Sequence, residues 1–396
     1  MRVAVIGAGV FGSWTAVWLR RRGADVVLLD QYGAGNSLAS SGDESRVTRS
    51  AHGPDAHYPR WQRHSLEQYR ALERVTGERL FVETGVLWFA HRDDGFEADS
   101  LSVLAEAGVP VERLDRPELE RRFPQIAADG VTWALYEPEG GVLMARRGVA
   151  VAAQRAALAG VDVRRAVIFP PGEGDGQTAA VPRVGLADGG SVEADAFVFA
   201  CGPWLARLFP DLVGPMLEVP RQEVIYFATP PGDDRFDAGS MPTWVDYDAS
   251  FYGIPSIERR GLKCAPDWPG PLVDPDRQER ALSEERIEAA RAYLRRRFPA
   301  MGGQPVSEGR VCQYELTPDT HFIVDRHPAW ENAWIVGGGS GHGYKHGPAM
   351  GEYVSALVTG DSAATGLAPP DDRFALRPRR RGIGMRTAAA APQGTI

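Results

Sequence analysis

RVAVI at residues 2–6 runs without interruption into Gly7, Gly9 and Gly12, and then into a segment carrying Trp14, Val17, Trp18 and Leu19 at helical spacing. Each glycine has a physical task in that context. Gly7 permits a tight turn, Gly9 lets a pyrophosphate approach the backbone, and Gly12 lets helix and strand pack closely. The helix N-terminus adds unpaired N–H groups and a partial positive charge. A second apolar strand over residues 25–29 ends at Asp30, where a carboxylate can accept from ribose hydroxyls. The chain therefore opens as a βαβ unit that grips a dinucleotide.

FAD, NAD and other ADP-containing cofactors share this grip. Two features favour FAD: the fingerprint occurs once, and a late glycine-rich turn over 337–343, containing Gly341, supplies a second anion-friendly backbone before a helix. Between these motifs the pattern changes more than once. A strand over 83–89 opens a different region, with a helix near 101–107 and a proline-punctuated stretch to Phe123. The dinucleotide-like pattern returns at Gly140, with a helix over 146–158, strands over 162–168 and 196–200, and a hairpin around Asp188-Gly-Gly. Residues 219–263 alternate and are rich in aromatics, which predicts a broad antiparallel sheet. A charged amphipathic helix follows over 283–298, and a last apolar strand over 332–336.

This alternation predicts a two-lobed α+β or α/β protein. A Rossmann-like FAD-binding domain is built from 1–82, 140–215 and 308–376, and an antiparallel-sheet substrate domain from 83–139 and 216–307. Residues 377–396 read as a flexible tail. A net charge of -8 argues against nucleic acid as a partner, and no apolar run approaches the ~20 residues of a membrane span. A strand beginning at Arg2 leaves no room for a signal peptide, and three scattered cysteines make neither a disulfide framework nor a zinc site. No metal ligands are expected, and a cytoplasmic monomer is. Of 44 basic residues only Lys263 and Lys345 are lysines. Lysine is a compact point charge whose pKa shifts readily, so two exceptions in an arginine-rich chain mark positions to watch.

Both lysines fall inside a set of separated motifs. Gly42-Asp-Glu-Ser-Arg46-Val-Thr-Arg49 comes first, then Tyr252-Gly-Ile-Pro-Ser leading to Gly261-Leu-Lys263. Cys312-Gln-Tyr314 precedes Pro318-Asp-Thr-His-Phe322, and Ser340-Gly-His-Gly-Tyr-Lys345 closes the set. From Arg2 to Leu376 the chain resembles the monomeric sarcosine oxidase and N-methyltryptophan oxidase family of D-amino-acid-oxidase-like flavoproteins. The first motif resembles that family's Gly-Asp-x-Arg-x-x-Arg loop, with one residue more.

The resemblance implies roles. Cys312 corresponds to the cysteine whose sulfur joins the flavin 8α-methyl, so FAD is expected to be covalent there. Arg49 and Lys345 correspond to the pair that binds the substrate carboxylate, Arg46 to a residue beside the flavin. Lys263 corresponds to the lysine near flavin N5 that assists electron passage to molecular oxygen. Tyr252 and Tyr314 match pocket tyrosines. Gly7, Gly9, Gly12, Asp30, Gly341 and Lys345 are expected to touch the cofactor.

The chain also departs from the family. Asp267 stands where sarcosine oxidases have a histidine, Trp244 near where they have a methionine, and Ser40-Ser41 replace a histidine pair. These changes bear on the substrate rather than the cofactor. The expected activity is oxidation of a secondary or cyclic amino or imino acid to an imine, with oxygen going to hydrogen peroxide. A pipecolate- or piperideine-carboxylate-like substrate is expected over sarcosine. The alternatives are a sarcosine or N-methyl amino acid oxidase, a dehydrogenase of the same fold that hands electrons to a carrier, and a non-catalytic flavin-binding module. Lys263 argues against the dehydrogenase, and the retained carboxylate pair against the module.

Overall fold

The computed structural model describes residues 1–170, 180–181, 183–361 and 366–380. The opening unit forms as its residues dictate: strand Arg2–Ile6, helix Val10–Arg21 and strand Asp25–Asp30, the two strands parallel and paired. They lie inside a six-stranded sheet ordered 323–326, 333–337, 196–199, 2–6, 25–30, 162–165. All neighbours run parallel except Ile323–Arg326, which is antiparallel to Ala333–Gly337. The inner strands are continuously apolar because both faces of the sheet are covered. Helices Val10–Arg21 and Gly347–Thr359 cover one face, burying Trp14, Val17, Met350 and Val354. They meet closely at Gly351, where a Cβ would lie 2.4 Å from the Trp14 backbone. Leu205, Phe209 and the hairpin residues Val184 and Val192 cover the other face.

A second sheet of eight strands is ordered 306–313, 221–227, 262–266, 251–254, 243–246, 86–90, 133–137, 112–115. It is antiparallel except where Thr243–Asp246 runs parallel to Val86–Ala90, a pairing between distant segments that local pattern does not reveal. The edge strand Glu112–Asp115 sits in the stretch read only as proline-punctuated. Helix Glu284–Arg297 is capped by the Ser283 side chain, which accepts from the Arg286 N–H. It packs Ala290, Tyr293 and Leu294 on Ile225, Trp244, Phe251 and Leu262. Side chains alternate along each strand, so Val224, Tyr226, Tyr252 and Ala265 cluster on the opposite face. That face fronts the site described below.

A short third sheet joins Ser45–Thr48, Gly141–Met144 and Phe81–Glu83. It turns half of the motif read as a loop into a strand that fixes Arg46. The return to the dinucleotide lobe, expected at residue 308, falls inside the strand Val306–Gln313, which belongs wholly to the second sheet. Within the expected tail, residues 377–380 carry no helix or strand, and 381–396 lie outside the described residues. No described helix is long and apolar enough to cross a membrane.

Candidate active site

An open cleft runs from the first sheet to the second as a larger and a smaller chamber that share part of their lining. Val10, Phe11, Ser40, Ser41 and Glu315 line both. The smaller chamber begins at Gly7, Gly9 and Asp30. Gly7 has φ +100°, and a Cβ on it would lie 2.3 Å from the Ala200 carbonyl oxygen; one on Gly12 would lie 1.8 Å from the Gly7 carbonyl. Only glycine fits either position. Gly9 is the N-cap residue of the helix and offers no side-chain cap, which leaves the first N–H groups to a ligand. Asp30 accepts from the Ala8 N–H at 2.8 Å on one oxygen, and from Tyr32 and Gly33 at 2.8 and 2.7 Å on the other. The carboxylate thus ties the glycine turn to the following loop while facing the chamber. A cradle that a Cβ would fill, an uncapped helix and a wall carboxylate together fit an ADP-containing cofactor.

The larger chamber holds the motif residues. Arg46 donates to the Ser40 carbonyl at 2.8 Å, pairs with Asp43, and lies 3.8 Å from Cys312 Sγ. Cys312 is buried and lines the cleft. Lys263 does not line it. Its ammonium is fully buried, donating to Asp43 at 2.6 Å and to the Ser45 carbonyl at 3.0 Å, with the rings of Tyr226 and Tyr252 5.7 and 5.8 Å away. Burial alone would push the Asp43 carboxyl up, but Lys263 and Arg46 outweigh it and hold the group well below the usual carboxylate range. Burial lowers the Lys263 pKa, and Asp43 opposes that shift. Two cations around one carboxylate leave a net positive charge behind the cleft wall.

Arg49 and Lys345 both face the cleft. Arg49 donates to the Ala51 carbonyl and stacks 5.0 Å from the centre of the Trp88 ring. Glu137, buried, sets this geometry: it accepts from the Trp88 indole at 2.8 Å and from the Ser50 N–H at 2.5 Å. Lys345 Nζ donates to the His342 carbonyl at 2.8 Å, in the glycine-rich turn where Gly341 takes φ +72°. His52 and His346 beside them are pushed well below the ordinary histidine value by burial first, then by the charges of Arg49 and Lys345.

Tyr252, Tyr314 and Asp267 line the far wall. The Tyr314 hydroxyl donates to Asp267 at 2.8 Å. Burial, then Asp267, pushes the Tyr314 pKa far up, so it remains a donor. Asp267 is thus a pocket residue. Trp244 is not: it is fully buried, stacked 5.2 Å from Tyr293 under helix Glu284–Arg297. The expectation that Trp244 bears on the substrate is corrected by the strand's alternation, which turns Val245 and not Trp244 to the cleft.

Sequence reasoning gave no role to Asp43, Glu137 or Glu315. Asp43 stands inside the quoted Gly42–Arg49 motif and Glu315 directly after Tyr314, so their positions were visible but their partners were not. Glu315 accepts from the Gly338 N–H at 3.3 Å, and burial pushes its carboxyl up to about 7.

A glycine cradle continuous with a pocket of fixed cations defines a dinucleotide-dependent enzyme, and the comparisons specify which. The family model described as FAD dependent oxidoreductase matches residues 2–357, and the chain belongs to that family. It is 32% identical over 370 residues to the monomeric sarcosine oxidase of Streptomyces avermitilis, covering 91% of this chain and 94% of that protein. The N-methyl-L-tryptophan oxidase of Salmonella enteritidis is 26% identical, covering 92% of this chain and 96% of its own. Among solved structures, L-proline dehydrogenase from P. horikoshii superposes with TM-score 0.78 at 18% identity, covering 91% of this chain and 93% of that one. Amadoriase I from Aspergillus fumigatus gives 0.79 at 19%, covering 99% and 94%. These two share the fold. The cofactor is therefore FAD and the enzyme an oxidoreductase of the sarcosine-oxidase type.

Proposed function

We propose that this enzyme oxidises a secondary or cyclic amino acid to an imine and reduces oxygen to hydrogen peroxide, with its FAD attached through Cys312. The observation that carries the reading is the placement of Arg49 and Lys345 on one chamber with Asp267 and Tyr314. Arg49 offers a planar fork and Lys345 a point charge, a combination suited to a carboxylate. The same cations disfavour an ammonium nearby, so the substrate amine is held neutral with its lone pair available. Bound FAD would supply the two-electron acceptor. Arg46 lies beside Cys312 Sγ, the atom read here as forming the thioether. The Asp43–Lys263–Arg46 group places net positive charge behind the cleft, which favours charge developing on oxygen as it is reduced.

Asp267 refines the substrate. Its carboxylate, oriented by Tyr314, can accept from a ring N–H or pair with a second basic group, the latter being something sarcosine lacks. The preferred substrate is therefore a cyclic or bulky secondary amine of the pipecolate or piperideine-carboxylate kind. The test is a panel of N-methyl and cyclic amino acids, with flavin bleaching followed without oxygen and peroxide with it. Bleaching by several members without peroxide would replace the oxidase reading with a dehydrogenase. Bleaching by none would remove the amino-acid reading.

A further inference from the structure

Three histidines converge behind the Arg49 and Lys345 side of the cleft and have no part in the reading above. His52, His342 and His346 are all buried, and one ring nitrogen from each lies within 4.8 Å of the others. Their ring centres are 5.4, 5.7 and 5.8 Å apart. His52 Nδ1 lies 2.7 Å from the Ser50 carbonyl, and His342 Nε2 lies 2.9 Å from the Thr320 carbonyl. A carbonyl can only accept, so each of these nitrogens carries its proton, and the other nitrogen of each ring keeps its lone pair. Among the described residues His52 Nε2 has no hydrogen-bond partner, and neither nitrogen of His346 has one, although His346 is fully closed to solvent. Polar atoms are seldom left so in a protein interior.

We propose that His52, His342 and His346 bind one first-row transition-metal ion through three imidazole nitrogens. Backbone carbonyls on the far nitrogens of two rings are the outer shell that metal-bound histidines use to fix tautomer and orientation. Three nitrogen donors with no carboxylate among them suit zinc, nickel, cobalt or copper and not magnesium or calcium. Tetrahedral bonds of about 2.0 Å need nitrogens about 3.3 Å apart, so small ring rotations close the cluster on the ion. His342 lines the cleft wall, which gives the ion its entry and leaves a fourth position toward the cleft. Arg49 and Lys345 oppose a cation here. The ion is held by the strength of the nitrogen bonds, and an anionic fourth ligand such as hydroxide or chloride tightens it.

His342, in the glycine-rich turn, is four residues from His346, which ends the short 3-10 turn Tyr344–His346. The third ligand, His52, comes from the distant segment after Arg49, which is why the site was not expected from sequence.

The test uses the FAD-loaded protein, stripped with a chelator and equilibrated separately with zinc and nickel. After gel filtration, bound metal is counted by mass spectrometry. Wild type should retain about one equivalent, and His346→Leu and His52→Leu roughly a fifth of that or less. His327→Ala, remote from the cluster and stacked on Trp330, should match wild type. X-ray absorption at the zinc edge of the wild-type protein should show imidazole scattering at about 2.0 Å; this measurement stands even where a histidine variant misfolds. Wild type retaining no more metal than His346→Leu, or an absorption spectrum without imidazoles, overturns the proposal.

Discussion

Lys263 Nζ and Asp43 Oδ2 lie 2.6 Å apart with neither side chain more than 1% exposed, and they join the strand Leu262–Pro266 to the loop before Ser45–Thr48. A buried pair of this kind contributes little against an apolar replacement but is costly to break, because the survivor is a charge without water. Asp43→Asn should therefore lower stability by about 3–5 kcal/mol, and adding Lys263→Met should restore most of it. Denaturant titration of the single and double variants measures both. Lys263→Met alone should slow reoxidation by oxygen by orders of magnitude while reduction by substrate suffers less. Equal losses in the two half-reactions by stopped flow would deny Lys263 a distinct role with oxygen.

Cys312 and Arg46 make a second test. Acid precipitation of the wild-type protein should leave the yellow colour in the pellet, and Cys312→Ala should release it to the supernatant. Since Arg46 lies 3.8 Å from the sulfur, Arg46→Ala should slow attachment when the protein free of cofactor is incubated with FAD. Colour released from the wild type would mean that the sulfur forms no bond.

These residues also show how far the sequence carried. Gly7, Gly9, Gly12 and Asp30 were legible because their task is local: each acts on a turn that a few residues define. Cys312, Arg49 and Lys345 were legible only through motif resemblance, and the fold brings them to one cleft. Trp244 was misplaced for a reason that strands make unforgiving. A shift of one residue exchanges the faces, and Val245 holds the position assigned to Trp244. The pairing of Asp43 with Lys263 and of Thr243–Asp246 with Val86–Ala90 joins segments with no mutual trace in the linear pattern.

Glu315 should give stability a pH dependence. Burial raises its pKa from the ordinary 4.5 to about 7. Between those values the folded protein binds more proton than the unfolded chain, so unfolding free energy falls as pH rises. The contribution is fully present below about pH 4.5 and is lost through pH 7, amounting to about 3 kcal/mol at most. Comparing Tm across this range for wild type and Glu315→Gln isolates it. The variant should show a flatter profile, and parallel profiles would mean that Glu315 ionises as it does in water.

The proposed choice of substrate turns on Asp267. Arg49 and Lys345 can fix the carboxylate of any amino acid, so they do not distinguish sarcosine from a ring. Asp267 lies on the far wall with Tyr314 donating to it at 2.8 Å, which orients its carboxylate into the same chamber. A second basic group or a ring N–H that reaches it forms a charge-assisted hydrogen bond, and sarcosine, which is shorter and has no second basic group, reaches it less well. The best cyclic substrate should therefore exceed sarcosine in kcat/KM. Asp267→Asn should reduce that advantage by roughly ten- to a hundredfold, the range expected for one such bond, while changing turnover of sarcosine little. Tyr314→Phe should produce a smaller loss in the same direction, because it frees the carboxylate to turn without removing its charge. Should sarcosine equal or exceed every cyclic amine, the selectivity assigned to Asp267 fails, while the carboxylate grip of Arg49 and Lys345 remains to be tested by their own variants.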